Sequence, residues 1–158
     1  ACSSTNEAVN QALIEGAVGG IVAADCKIGR MTYWAANATV PVYEISFRIV
    51  MTNVSSKPVT LSGDNFATTL DGTPIPPFNF SARDVGDADI WRTYDSLTIR
   101  PGEERSVALA YEISQSTYDS WYRSSRTVAV SFTCGNQRVT YTKNSRSDEI
   151  TVSDIETL

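Results

Sequence analysis

At 158 residues, with 42% hydrophobic and 20% charged side chains, the chain has the size and composition of one globular domain, able to bury roughly two-thirds of its unfolded surface. Its net charge of −5 and the lack of any basic run exclude a protein that grips nucleic acid through backbone phosphates, and no apolar stretch approaches the ~20 residues of a membrane-spanning helix. No histidine occurs, which removes Ser-His-Asp and Cys-His catalysis and every His-ligated metal site.

In chain order, Ala1-Cys2-Ser3-Ser4 comes first and is similar to the end of a bacterial lipoprotein signal, where a small residue precedes the cysteine that is lipidated. Ser4 to Glu15 carries a capping-box pattern, Ser4-x-x-Glu7, and sets Ala8, Val9, Ala12 and Leu13 on one helical face, so a short helix is expected. The run from Ala17 to Ala24 is apolar and uncharged, with strand chemistry weakened by Gly19 and Gly20. Such a run must leave water. Either it adds a strand to its own sandwich, or Ala17, Val18, Ile21 and Val22 complete the sheet of a neighbouring copy, as in donor-strand assembly. Residues 1–25 are therefore read as an N-terminal extension and 26–158 as the β domain.

Strand signals follow. Lys27 to Trp34 is a short candidate, and Val42 to Asn53 alternates cleanly, with Tyr43, Ile45, Phe47, Ile49 and Met51 on one face and Glu44, Ser46, Arg48 and Thr52 on the other. Phe66 to Leu70 precedes an Asp71-Gly72 turn, and Ser96 to Ile99 precedes Pro101-Gly102. Val107, Leu109, Tyr111 and Ile113 share a face in the next strand. Arg126 to Cys134 and Arg138 to Lys143 read as a hairpin closed by Gly135-Asn136, and Glu149 to Val152 as a last short strand. Short alternating runs punctuated by turns, without alternating helices, predict an all-β, two-sheet sandwich.

Cys26 and Cys134 open and close this β-rich region, each with strand-like neighbours, and are expected to pair; the alternative is two buried thiols. Cys2 is left over, and its pairing with either of the others stays open. Adjacent acids such as Glu103-Glu104 and Asp148-Glu149 point to opposite faces of a strand, which does not suit paired-carboxylate catalysis. Asp84, Asp87 and Asp89 lack the alternation and distal Glu of a Ca²⁺ loop and read as a solvated acidic loop, so no metal or cofactor is expected. Triplets suited to N-glycosylation begin at Asn37, Asn53 and Asn79. Trp91 with Tyr94, and Tyr118 with Trp121 and Tyr122, are candidate carbohydrate or protein contact surfaces; alternatively, the second group forms one helical turn with Trp121 packed over the open end of the sandwich.

Three motifs, in order, resemble the telokin-like immunoglobulin-fold domains of secreted bacterial and archaeal proteins. They are the long strand ending in Asn53 with Pro58-Val59 beyond a polar turn, the unit from Phe66 to Asp71-Gly72, and Leu97 to Pro101-Gly102-Glu103 leading into an alternating strand. The resemblance covers about residues 27 to 143 and implies an immunoglobulin-like sandwich in an extracytoplasmic setting. That family has no common activity, so no functional residue carries over. The expectation is a non-enzymatic extracellular structural protein, a subunit of a surface filament or layer assembled by strand exchange. The alternative is a monomeric secreted or lipid-anchored binding module. Its partner would be a further copy of itself or another cell-surface protein, with no nucleic acid and no membrane span.

Overall fold

Alternation of apolar and polar residues becomes two packed antiparallel sheets in the computed structural model, which describes residues 17–86 and 90–158. The helix expected over Ser4 to Glu15, together with Cys2, Asp87 and Asp89, lies outside the described residues. In chain order the strands are β1 (Ile21–Tyr33), β2 (Val42–Asn53), β3 (Val59–Ser62), β4 (Phe66–Leu70), β5 (Thr73–Ile75), β6 (Asn79–Asp84) and β7 (Arg92–Thr93). They continue with β8 (Ser96–Ile99), β9 (Glu104–Glu112), β10 (Thr127–Cys134), β11 (Gln137–Asn144), β12 (Ile150–Val152) and β13 (Glu156–Thr157). One sheet runs β1-β2-β9-β6-β7, and the second runs β12-β11-β10-β4-β5 with β13 also on β11. A separate β3-β8 ribbon completes an all-β, immunoglobulin-like sandwich.

The core lies between the two sheets. Phe47 of β2 meets Phe66 of β4 at 6.0 Å and Tyr141 of β11 at 5.8 Å between ring centroids, while Phe66 also meets Phe80 at 6.3 Å and Phe132 at 5.1 Å. These tilted pairs tie both inner faces together, as aromatic quadrupoles favour. Tyr111 of β9 is fully buried in the same layer, and loss of hydration pushes its phenol up to about 12. Turn chemistry agrees with the sequence: Asp71 and Gly72 both have positive φ, and Gly102 has φ of 79° after Pro101.

The strongest polar feature is Asn53 at the end of β2. Its side chain is fully buried, and both amide protons are donated, to the carbonyls of Lys57 at 2.8 Å and Ile99 at 2.9 Å. Its Oδ1 accepts from the Ser55 N–H at 2.9 Å and the Ser55 hydroxyl at 2.7 Å, which fills the capacity of the amide. The Asn53 backbone meanwhile bonds Gly102 N at 2.7 Å and Glu103 O at 3.1 Å. Two of the motifs read from the sequence, the Asn53 turn and the Pro-Gly-Glu turn, are therefore one knot. An Asn53 committed to these bonds is no glycan acceptor.

Three expectations need correction. The run from Ala17 to Ala24 is not one weakened strand: Gly19 and Gly20, with φ of 57° and 85°, form a tight turn that reciprocal Val18–Ile21 bonds of 3.0 Å close. β1 then starts at Ile21, ahead of the boundary expected after Asp25, and pairs with β2 of the same chain from Ile21↔Asn53 onward. Secondly, Cys26 and Cys134 form no disulfide; both are buried thiols. Cys134 packs on the Gly19 turn, with Sγ 3.7 Å from the Gly19 carbonyl, whereas Cys26 lies deeper along β1. At ~3.3 Å per residue the stretch from Ile21 to Cys26 covers roughly 16 Å, well past the Cα separation a disulfide tolerates. Thirdly, of the two readings of Trp121 the packed one holds: it is 1% exposed and does not belong to a contact surface. It follows helix α1 (Gln115–Asp119), which Ser114 caps by accepting from Thr117 N at 3.1 Å, and it packs into the core.

Replacing Asn53 with Ala strands the buried Ile99 carbonyl, leaves the Lys57 carbonyl only the Ser55 hydroxyl, and loosens both turns, so Asn53→Ala should lower unfolding free energy by about 2–4 kcal/mol in urea titration. A loss below about 1 kcal/mol would mean that those carbonyls find other partners.

Candidate functional site

The outer face of the five-stranded sheet is built from the even positions of β2. Because Ile45, Phe47, Ile49 and Met51 face the core, Ser46, Arg48 and Val50 face outward. Register then selects their neighbours. Arg48 lies opposite Lys27 on β1 and Ala108 on β9, and Ser106 of β9 lies opposite both Val50 and Arg83 of β6. Between β2 and β6 the floor is thus small, and Trp91 occupies the space above it. The guanidinium carbons of Arg48 and Arg83 stand 5.4 Å and 4.9 Å from the indole centroid, so one ring braces two cations from strands on either side of β9.

A cleft of about 310 Å³ opens here, lined by Asp25, Lys27, Arg48, Arg83, Trp91 and Ser106 among others. A second of about 240 Å³ shares Lys27 and Arg48 and continues over Gly29, Met31 and Ser46. Together they make one groove across β1 and β2 with cations at its middle. Gly29 gives the groove its depth: a Cβ placed there meets no heavy atom within 4 Å. Asp25, with φ of 52°, sits in the bulge between Ala24 and Lys27 that turns this part of β1.

Of the residues singled out from sequence, Trp91 belongs to this groove and Tyr94 does not. Tyr94 is half-buried against the core, bonds the Phe80 carbonyl at 2.9 Å, and lies 6.0 Å from Arg105, which is held by Asp84 at 2.9 Å. Tyr118 meets Tyr43 in a tilted contact at 5.0 Å and clasps Arg30 with Tyr122, the guanidinium carbon being 4.3 Å and 4.6 Å from the two ring centroids. Val18 and Ile21 are buried in the chain's own core, with Ala17 and Val22 half-buried. Sequence reasoning missed Lys27, Arg48 and Arg83. Arg48 was visible as a cation on the polar face of an alternating strand, but only register brings Lys27 and Arg83 to it. Among the described residues no cluster of metal-ligating side chains occurs, and no helix is long and apolar enough to cross a membrane.

Beyond Ser46 the same face ends in acid. Glu44 is buried and lies opposite Glu112 on β9 and Met31 on β1. Burial, and secondarily the Glu112 charge, raise its carboxyl above the ordinary 4.5.

No protein-family model matches the chain, and no curated protein matches it. Several solved structures are similar to it. A candidate lipoprotein of Bacillus subtilis, ycdA, is similar with a TM-score of 0.51 and 9% identity over 84% of this chain; the chain spans 38% of that protein's length. The yjhA protein of Bacillus subtilis (TM-score 0.45, 14% identity) is matched over 74% of this chain and 75% of its own. An uncharacterized β-sandwich protein of Clostridium difficile (TM-score 0.46, 16% identity) is matched over 78% and 83%. The first of these likenesses concerns the sandwich alone and carries no activity.

Glu44 sets a pH dependence with a definite sign. Its folded pKa is raised, so the fold is favoured while Glu44 is protonated in both states, and stability falls as pH climbs past 4.5 towards the folded value. Glu44→Gln should therefore raise the melting temperature at pH 7 and leave it unchanged near pH 4. A variant and parent that melt at the same temperature at pH 7 would refute the assignment.

Proposed function

We propose that this chain is a non-enzymatic ligand-binding module of an extracytoplasmic protein, related to the telokin-like immunoglobulin domains, and that it takes its ligand in the groove on the outer face of the five-stranded sheet. One observation carries the reading: Arg48 and Arg83 are braced by Trp91 above a floor of small residues, beside Lys27, in a groove that the described residues leave open. Side chains aligned before a ligand arrives lose less entropy when it binds. A sheet face that served only solubility would need neither the indole brace nor Gly29.

The cell-surface part of the proposal draws support from the motif order seen in the sequence and from the lipoprotein label of the Bacillus subtilis neighbour. Strand exchange is the weaker account, because the segment that motivated it is consumed by the chain's own β2. A monomer that presents a groove needs no donated strand.

Gly29→Leu supplies the test, since a Cβ at Gly29 meets no heavy atom within 4 Å and the added side chain would occupy the second cleft. By light scattering this 158-residue chain should be a monomer of about 17.2 kDa and should cosediment with cell-envelope fragments of its source; Gly29→Leu should keep the melting temperature and lose the cosedimentation. Filaments in the native preparation, or equal cosedimentation of the variant, would overturn the reading.

A further inference from the structure

We infer that the groove takes an acidic saccharide chain, its carboxylates met by Arg48 and Lys27 and its rings lying along Trp91, Gly29 and Met31. This rests on the binding-module reading and names the class of ligand for it.

Charge is the first ground. The chain carries a net −5, with 13 basic against 18 acidic side chains, yet among the described residues the larger cleft collects Lys27, Arg48 and Arg83 against Asp25. Among the described residues, Lys27 and Arg48 make no ion pair, so an incoming oxyanion displaces no carboxylate from them. Arg83 has other interactions, and its part here is to share the indole with Arg48. A guanidinium held against a ring presents its planar fork in a fixed direction, which suits a carboxylate.

Shape is the second ground. The two clefts share Lys27 and Arg48 and form one trough open along its length, where a compact small molecule would be enclosed on most sides. Lys27 and Arg48 are cross-strand partners, their Cα atoms about 5 Å apart. Along the trough, Trp91 and Met31 offer apolar surface while Ser46 and Ser106 offer hydroxyls. A sugar ring has this same division between C–H faces and hydroxyl edges. Nucleic acid, with its dense phosphate charge, would instead meet the acidic remainder of the surface.

The experiment is calorimetric titration of the full chain with an oligogalacturonate, a neutral malto-oligosaccharide of equal length, inorganic phosphate and phosphatidylglycerol vesicles. The expected result is binding of the oligogalacturonate, weakened in 1 M salt where the screening length is about 3 Å. Arg48→Gln should weaken it by about tenfold or more at unchanged melting temperature, and Gly29→Leu should abolish it. Equal affinity for the neutral oligomer, or binding of phosphate or vesicles in its place, would overturn the acidic-saccharide assignment; if Gly29→Leu still abolished that binding, the module reading would survive. Failure of all four probes would also overturn the assignment, and the module reading would then be decided by envelope cosedimentation.

Discussion

Asn53 is the side chain on which the geometry of the outer face depends. A buried primary amide costs several kcal/mol unless its donors and acceptors are met, and here all four positions are used within one turn and the loop that crosses it. Those bonds hold the start of β3 and the β8–β9 turn against the end of β2. The β2–β9 register then runs without a break from Thr52↔Glu104 to Glu44↔Glu112. A slip of one residue would exchange Phe47 and Arg48 between core and solvent, so the knot and the core enforce the same register.

Side-chain size decides what that register makes of the outer face. Ser106 and Ala108 lie between Arg48 and Arg83, and larger residues there would lift Trp91 away from both guanidiniums. On the inner face the constraint is opposite. Phe47, Phe66, Phe132 and Tyr141 fill the space between sheets with ring contacts of 5.1 to 6.0 Å, so β2 is pinned from below while its upper face stays open. Rigid backing of this kind is what a site needs when its cations must stay aligned without ligand.

Much of the fold was legible because its strands are half-buried. β2, β4 and β8 have the bounds their alternation or turn signals indicate, and Gly135, with φ of 61°, turns β10 into β11 at the place read from sequence. Strands β6 and β7 were not legible: Asn79–Asp84 has only Phe80 and Ala82 to mark its inner face, and Arg92–Thr93 has no apolar residue at all. The cysteine pairing failed for a different reason. Position near the ends of the β region fixes neither the turn in which Gly19 meets Cys134 nor the depth of Cys26 along β1. The groove was the least legible feature: Lys27 meets Arg48 only through the β1–β2 register after the bulge, and Arg83 comes near them only because β9 lies between β2 and β6.

The two ends of the outer face differ in a way that bears on how an anion would lie there. Towards Arg83 the floor is Ser106 and the flank is the braced indole; towards Met31 the face closes on Glu44, with Glu112 directly across from it. Burial is the main cost of charging Glu44, and the Glu112 carboxylate across the strand pair adds to it. An anionic chain would therefore be drawn to the Lys27–Arg48 pair and turned back before Glu44. The polarity of the outer face follows β2, whose outward residues change from Arg48 through Ser46 to Glu44 within three successive positions of one face, and the neighbouring strands reinforce it with Lys27 and Arg83 at one end and Glu112 at the other.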